Sequence, residues 1–381
     1  MPTTTTTTTE TNATGTTTAT ETVTIAEAVP PRAAAAAAPA AAPVGKVTQV
    51  VTVTGAGGFI GTEVVSQLLA KGVQVNACVR KIGGPKYAHL EKLAAVLPGT
   101  LKFFEADLTA PGSFDKACEG AEYVHHVASP FDLWNEDPDK EIIDPAINGT
   151  INILQAVAKA RCVRRVVLTS SIFGCVNLLA PKPPENSATG LYDEADWNDN
   201  VTPEMYRDPA PETRLLAYGI SKPMAEKKAW ELSKELGIDL VTICPAAVFG
   251  PQIGSNSLSN AMLMGMMAGE PNPFLMNAMV PAVDVRDVAR AHMVAAEKPE
   301  AEGRYIISLP DTTNQLTINK ILNKNFPMDF SLPEDLENAP EKPMFDTKKC
   351  NALIGPLIGM NEMVADTARA MMTLGQFPPP T

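Results

Sequence analysis

Apolar residues recur along most of the chain with the spacings of strands and helices in turn. Residues 50–54 and 73–79 are rich in β-branched and alternating apolar positions, which predicts two strands. Between them, the apolar positions of 62–70 fall on one helical face, and Gly72 follows at the expected C-terminal position. Further apolar runs predict strands at 101–106, 123–127, 163–169 and 240–244. This alternation indicates an α/β fold with a doubly wound parallel sheet, which binds ligands beyond the carboxyl ends of its strands.

Three segments interrupt this alternation and are rich in Pro, Asn and Met. They cover 177–214, 250–283 and 311–381. We predict that the first two are insertions in a main domain spanning 46–310. The third is predicted to complete, with them, a smaller substrate-binding lobe.

Residues 1–45 form a low-complexity tail, in which a threonine-rich run is followed by alanines and prolines. Large apolar side chains are too few there to offset the chain entropy of folding, so we predict a disordered tail. Three glutamates but no basic residue precede Arg32, which is unlike an arginine-rich transit peptide. The prediction is a cytoplasmic protein with a flexible tail, and an unusual targeting segment is the alternative.

The first predicted strand runs into a glycine-rich turn, Thr54-Gly55-Ala56-Gly57-Gly58-Phe59-Ile60-Gly61. Gly55 lets the chain turn out of the strand, Gly58 lets N–H groups approach a pyrophosphate, and Gly61 lets the next helix pack closely. The helix N-terminus also favours an anion. Glycines at this spacing occur in ordinary turns too. The strand before them and the helix after them favour a dinucleotide-binding Rossmann fold.

The end of the second predicted strand discriminates between NAD and NADP. An acidic residue about 20 positions beyond the glycines would bind the ribose of NAD, whereas an arginine suits the extra phosphate of NADP. Arg80 stands at that place with Lys81 beside it, and the strand contains neither Asp nor Glu. NADP or NADPH is therefore the predicted cofactor, and a solvated basic strand end is the alternative.

The net charge, the apolar runs, the cysteines and the histidines limit the kinds of partner that this chain can bind. A net charge of −12 disfavours nucleic acid and anionic membranes, and no apolar run approaches the roughly 20 residues of a membrane span. The six cysteines lack paired metal-ligand spacing, and His125 and His126 fall within a predicted buried strand. We therefore expect reduced thiols, no metal site, and a monomer or homodimer that acts on a small molecule.

Tyr218 lies four residues before Lys222, so the two side chains share a face if this segment is helical. A phenol loses its proton near pH 10, and its use at neutral pH requires a nearby cation that stabilises the phenolate. Such a spacing arises by chance in roughly one chain of three of this composition. The pair lies directly before the sixth predicted strand, and this position favours a functional role over a chance spacing. Candidate ligand residues follow the other strands: Asp107-Leu108, Ala128-Ser129-Pro130, Ser170-Ser171 and Pro245.

As a set, these residues resemble the extended short-chain dehydrogenase/reductase family over about 47–310. The resemblance is closest to the branch of dihydroflavonol, cinnamoyl-CoA and yeast-type ketone and aldehyde reductases. Further matching motifs are His126-Val127-Ala128-Ser129-Pro130, Asn148-Gly149-Thr150, Thr169-Ser170-Ser171 and Asp284-Val285-Arg286-Asp287-Val288-Ala289.

The resemblance implies an NADPH-dependent carbonyl reductase with a Ser-Tyr-Lys triad. Tyr218 would donate the proton, Lys222 would lower its pKa and hold the nicotinamide ribose, and Ser171 would donate a hydrogen bond to the substrate carbonyl. Ser170 takes that role if the register is off by one. Asp107-Leu108 would flank the adenine and Ala128-Ser129 the nicotinamide ribose. The predicted cofactor-binding residues are Gly55, Gly58, Phe59, Ile60, Gly61, Arg80, Lys81, Asp107, Leu108, Ala128, Ser129, Tyr218, Lys222 and Pro245.

Two features depart from the family. Pro223 directly follows Lys222 and removes one helical N–H, which can kink a helix. The run Gly219-Ile220-Ser221-Lys222 differs from the Tyr-Gly-Lys usual in the cinnamoyl-CoA branch, which disfavours a CoA thioester substrate.

We expect an uncharged aldehyde or ketone with an apolar or aromatic body as the substrate. Residues 235–285 contain no Lys, Arg or His and carry many methionines, which suit an adaptable apolar wall, although core packing is the alternative for each of them. One other function is a nucleotide-sugar epimerase or dehydratase with tightly held NAD, which Arg80 disfavours. The other is an NADP-binding regulator without turnover, which the intact triad disfavours.

Overall fold

A computed structural model of the chain describes residues 5–11, 17–23, 49–83, 85–131, 136–178, 184, 189–207, 214–254, 257–267, 280–326 and 343–376. The chain divides into two units, 1–46 and 47–381. In the first unit, β1 (Thr5–Thr11) pairs antiparallel with β2 (Thr17–Val23). A lone two-stranded hairpin is marginally stable in water, so the disorder expected for 1–45 stays a prediction.

The second unit is built on a seven-stranded parallel sheet with the order β11-β8-β7-β6-β3-β4-β5. Two short strands, β9 and β10, pair with each other outside it. The strands are β3 (Val50–Thr54), β4 (Gln74–Val79), β5 (Thr100–Glu105), β6 (Tyr123–His126), β7 (Arg165–Thr169), β8 (Leu240–Pro245), β9 (Ala247–Phe249), β10 (Ala282–Asp284) and β11 (Gly303–Ile307). The doubly wound sheet is confirmed with all six predicted strands, and β11 is an additional strand that the sequence analysis missed.

Helices cover both faces of the sheet, because successive strand residues point to opposite sides. The helices are α1 (Phe59–Ala70), α2 (Ala88–Val96), α3 (Asp115–Cys118), α4 (Asp144–Ala160), α5 (Pro203–Tyr206), α6 (Arg214–Leu236), α7 (Leu258–Met267), α8 (Val285–Glu297), α9 (Gln315–Asn325), α10 (Lys348–Ile354) and α11 (Met360–Thr373). Val167 and Val241 belong to the core under α1 and α8, whereas Val166 and Leu240 belong to the core under α4 and α6. None of these helices is long and apolar enough to cross a membrane.

A second, smaller core lies among α7, α9 and α11. Met267 is buried in it, and Met262 and Met264 pack against it. Core packing therefore explains these three methionines, and they do not support the predicted apolar wall. The side chain of Met266 and the residues Phe274, Leu275, Met276 and Met279 lie outside the described residues. The boundaries of the predicted substrate lobe stay a prediction.

The strand order reverses between β3 and β6, which is the point where such sheets bind their ligands. The chain leaves β3 at Gly55 and leaves β6 toward Ala128, and these two residues meet at the carboxyl edge. The topology therefore positions the glycine-rich turn next to the segment that follows β6.

Candidate active site

The glycine-rich turn is packed too tightly for side chains. A Cβ on Gly55, whose φ is +65°, would lie 2.8 Å from the backbone of Ala128, and a Cβ on Gly61 would lie 2.1 Å from the carbonyl oxygen of Gly55. That same oxygen accepts the N–H of Gly58 at 2.9 Å. No side chain caps α1, and its first turn holds no acidic residue, so the N–H groups there suit a pyrophosphate.

Arg80 and Lys81 are exposed just beyond β4, beside the residues that follow β5. Hydrogen bonds from Thr109 are the main cause of a lowered pKa at Asp107, and the charge of Arg80 lowers it further. Arg80 forms no hydrogen bond or ion pair with another residue that the structure describes. Its guanidinium is therefore available to an anionic ligand.

Leu108 is held against α4 rather than exposed at the edge. A Cβ on Gly149 would lie 2.4 Å from the Leu108 side chain, and Asn152 donates its amide N–H to the carbonyl of Leu108 at 2.8 Å. The Asn148-Gly149-Thr150 motif therefore provides the small residue that lets this segment approach the helix.

The segment after β6 is fixed from two sides. The hydroxyl of Thr54 accepts the N–H of Ala128 at 3.1 Å and pairs with Nδ1 of His126 at 2.8 Å. The ammonium of Lys222 donates to Oγ of Ser129 at 2.7 Å. The predicted ribose-binding segment and the predicted catalytic lysine are therefore in direct contact.

Ser171, Tyr218 and Lys222 converge at this edge. Tyr218 and Lys222 share one face of α6, as predicted, and Lys222 Nζ lies 4.8 Å from the centroid of the Tyr218 ring. The side chains of Ser171 and Tyr218 are hydrogen-bonded to each other. Ser171 also accepts the N–H of Phe173 at 3.2 Å, which caps the short helical turn that follows β7.

Burial dominates the titration of these groups. It raises the pKa of Tyr218 above its ordinary value, and the hydrogen bond with Ser171 opposes this only in part. It lowers the pKa of Lys222 to about 8. Burial has the largest effect on the phenol. The lowering of the Tyr218 pKa by Lys222 stays a prediction.

The two adjacent serines point to different partners. Ser170 is buried and donates to Oε2 of Glu226 at 2.6 Å, whereas Ser171 bonds to Tyr218. The geometry therefore favours Ser171 over Ser170 for the site. Glu226 and its partner Arg304 were missed by the sequence analysis, and no spacing along the chain marks them as a pair.

Two aromatic rings flank Tyr218. The ring centroid of Phe131 lies 4.7 Å and that of Phe173 lies 6.0 Å from the Tyr218 centroid, both in edge-on geometry. Phe131 is 45% exposed, so it presents apolar surface beside the phenol. Sequence analysis missed both, although Phe131 directly follows the matched Ser129-Pro130 motif.

Pro223 lies inside the helix that carries Tyr218 and Lys222, and Pro245 ends a strand of the sheet. α6 runs without interruption from Arg214 to Leu236 through Pro223, so the missing N–H does not end the helix. Pro245 is buried at the end of β8, in register with Ile307 of β11. It lies one strand further from β6 than Ser170.

Fold and site together define a Rossmann-type dinucleotide-binding protein with a Ser-Tyr-Lys cluster. The model of the NAD dependent epimerase/dehydratase family matches residues 51–308, and the chain belongs to this family. The resemblance to extended short-chain dehydrogenase/reductases is thereby confirmed.

Two curated relatives and one solved structure are named as reductases. The chain is 36% identical over 313 residues to an anthocyanidin reductase ((2S)-flavan-3-ol-forming) of Vitis vinifera, covering 79% of this chain and 87% of the relative. It is 36% identical to dihydroflavonol 4-reductase of Arabidopsis thaliana, covering 77% and 73%. The crystal structure of yeast methylglyoxal/isovaleraldehyde reductase Gre2 complexed with NADPH superposes with a TM-score of 0.73 at 28% identity, covering 86% of this chain and 99% of that one.

Proposed function

We propose that this protein is an NADPH-dependent carbonyl reductase that converts an aldehyde or ketone to the alcohol. The observation that carries the proposal is the convergence of Ser171, Tyr218 and Lys222 beside the glycine-rich turn. The relatives support it, because they are named as reductases and Gre2 is complexed with NADPH. The same relatives disfavour the epimerase or dehydratase alternative, and the complete triad disfavours a regulator without turnover.

The cofactor, when bound, supplies the hydride. The residues fit it, because the glycine-rich turn admits a pyrophosphate and Lys222 stands where it can reach ribose hydroxyls. Tyr218 donates its proton to the carbonyl oxygen, and Ser171 donates a hydrogen bond that orients the same oxygen. Burial keeps the phenol protonated, which suits a proton donor in the reductive direction. The Lys222 ammonium then stabilises the phenolate left behind.

The preference for NADPH over NADH is predicted to depend on Arg80. Arg80→Ala should weaken NADPH binding by roughly 10–100-fold, because it removes a charge-assisted contact to the 2′-phosphate worth about 1.5–3 kcal/mol. NADH binding should hardly change. The measurement is kcat/KM for both cofactors. An unchanged ratio would contradict the assignment, and Lys81→Ala would then be tested as the alternative.

Reductase activity is predicted to fall as the pH rises through about 8. The pKa of Lys222 is lowered to about 8 by burial, so the ammonium is present below this pH and is lost above it. Tyr218 does not titrate there, because burial raises its pKa. The measurement is kcat/KM with NADPH from pH 6 to about 10. A flat profile over that range would show that the charge of Lys222 is not needed.

We further propose an uncharged substrate with an apolar or aromatic body. Phe131 and Phe173 supply apolar surface next to Tyr218. Of the cations that could bind a phosphate, Arg207 is ion-paired with Asp139 at 2.7 Å, and Lys182 and the side chain of Arg214 lie outside the described residues. A CoA-linked or phosphorylated substrate would need such cations.

The test of the proposed function is a carbonyl panel with NADPH, repeated with NADH. A neutral aromatic aldehyde is compared with a matched acyl-CoA and a nucleotide sugar. We expect NADPH oxidation and a higher kcat/KM for the neutral aldehyde. No oxidation with any carbonyl would contradict the function, and a clear preference for a charged compound would contradict the substrate class.

We also propose that the protein acts in the cytoplasm as a monomer or homodimer, without a nucleic-acid or membrane partner. The net charge of −12 supports this. All six cysteines are free and five are buried, which suits a reducing compartment.

A further inference from the structure

A buried ion pair lies directly behind the proposed triad. Glu226 follows Lys222 by four residues on α6, and its Oε1 lies 2.8 Å from Nε of Arg304 on β11. The side chain of Glu226 is 0% exposed and that of Arg304 is 6% exposed. Burying two charges is costly, and apolar residues of similar volume often stabilise a fold equally well. Stability alone therefore gives little reason for an ion pair at this place.

The carboxylate of Glu226 connects the catalytic helix to two strand segments. Its Oε2 accepts a hydrogen bond from the hydroxyl of Ser170 at 2.6 Å. Ser170 directly precedes Ser171, the catalytic serine of the proposed function. The Oε1 of Glu226 accepts the hydroxyl of Thr242 on β8 at 2.8 Å. The position of α6 relative to the end of β7 is therefore held by hydrogen bonds to one carboxylate.

Arg304 extends this connection to residues 193–198, which we call the strap. Its Nη1 donates to the carbonyls of Glu194 and Asp196 at 3.0 and 2.6 Å, and its guanidinium lies 3.8 Å from the ring centroid of Trp197. From the strap, Asn198 donates its side-chain amide to the carbonyl of Phe173 at 2.9 Å. Phe173 in turn donates its N–H to Oγ of Ser171. Arg304 thus reaches the catalytic serine by a second route.

Building on the proposed function, we infer that Glu226 and Arg304 are positioning residues of the reductase. They hold Ser171 and Lys222 in their reactive arrangement, and the carboxylate supplies a negative charge behind the Lys222 ammonium. Neither residue contacts the substrate in this role.

The charge of Glu226 acts directly on Lys222. Both side chains line one pocket of about 20 Å³, so little water can screen them. Burial lowers the pKa of Lys222 to about 8, and the charge of Glu226 opposes this by raising it. The ionisable groups around Lys222 are Tyr218 and Glu226 on its own helix, His126 on β6, Cys244 on β8, and Arg304 behind Glu226.

Burial keeps most of these neighbours neutral. It lowers the pKa of His126 to about 3, and it raises the pKa of Tyr218. The pKa of the Cys244 thiol is likewise raised, chiefly by its hydrogen bond with Cys175 and by burial. Glu226 is then the one carboxylate facing Lys222 among the residues that the structure describes. Its removal should therefore be visible in the titration of the lysine.

The deciding variant is Glu226→Gln, which keeps the shape and one of the two acceptor oxygens that Ser170 and Thr242 use, replaces the other oxygen by an N–H donor, and removes the charge. We expect kcat to fall by about tenfold, with the Kd for NADPH within about twofold of wild type. The pH at which kcat/KM falls on the alkaline side should be lower than in wild type by roughly half to one pH unit, because the ammonium of Lys222 loses a stabilising negative charge. If the carboxylate were purely structural, its replacement would lower Tm and leave the alkaline limb at the same pH.

The matched control is Asp239→Asn, the same acid-to-amide change at the other end of the sheet. Asp239 accepts from buried Arg165 at 2.9 Å, at the start of β7. Asp239→Asn should lower Tm without changing kcat or the pH of the alkaline limb. If Glu226→Gln does not fold, the double variant with Arg304→Gln, which leaves no unpaired buried charge, takes its place in the same measurements.

Different results would overturn the positioning role of the ion pair and the proposed reductase function. An unchanged alkaline limb and an unchanged kcat in Glu226→Gln, or in the double variant, would overturn the positioning role. A shift of the same size in Asp239→Asn would also overturn it, because the effect would not be specific to the pair. Full activity of Tyr218→Phe would instead contradict the proposed function.

Discussion

Replacing Tyr218 by phenylalanine should lower kcat by roughly 10²–10⁴-fold, because the phenol hydroxyl is the proton donor to the substrate oxygen. The ring itself should stay in place, since its edge contacts with Phe131 and Phe173 need no hydroxyl. The affinity for NADPH should therefore remain within about twofold of wild type. The measurements are single-turnover reduction of an aldehyde and a fluorescence titration with NADPH.

The control for this variant is Tyr206→Phe on α5. Its hydroxyl donates to Oδ1 of Asp139 at 3.1 Å, so the change also removes one hydroxyl from a buried tyrosine. We expect nearly normal activity from it. Loss of both turnover and NADPH binding in Tyr218→Phe would indicate a structural tyrosine, and activity equal to that of the control would exclude it as the proton donor.

The parts of the site that depend on local spacing could be predicted from the sequence. Gly55 and Gly61 act within one turn, and Tyr218 and Lys222 act within one turn of helix. Short-range geometry fixes such neighbours whatever the rest of the chain does. The same holds for the six strands with clear apolar runs.

Contacts between distant segments could not be predicted in this way. Glu226 and Arg304 are 78 residues apart, and they meet because β11 joins the sheet beside β8. That strand carries a buried arginine at its second position, which weakens its apolar pattern. Ser171 was preferred to Ser170 only through the family resemblance, because neighbouring residues point to opposite sides and only their partners distinguish them.

The pKa of Tyr218 shows a further limit. Its distance from Lys222 along the helix was predicted, but its burial was not, and burial has the larger effect on the phenol. The rings of Phe131 and Phe173 contribute to this burial from two other segments. Electrostatic predictions from spacing alone are therefore less secure than predictions of proximity.

Gly61→Ala should weaken NADPH binding by roughly 100-fold or more. The added methyl would lie 2.1 Å from the carbonyl oxygen of Gly55, so backbone must move. That oxygen holds the N–H of Gly58, and the turn cannot retreat because Gly55 is itself packed against Ala128. Displacing α1 would misalign the N–H groups that face the pyrophosphate, at a cost of about 1.5–3 kcal/mol for each hydrogen bond to a charged group.

Gly72→Ala at the other end of α1 separates this effect from simple destabilisation. Gly72 has a φ of +79° and no atoms within 4 Å of an added Cβ, so alanine there brings left-handed strain of about 1–2 kcal/mol but no clash. It should lower Tm while the Kd for NADPH stays normal. Wild-type affinity in Gly61→Ala, at a Tm no lower than that of Gly72→Ala, would mean that the turn adapts. The close approach of α1 to Gly55 would then not be what holds the phosphate.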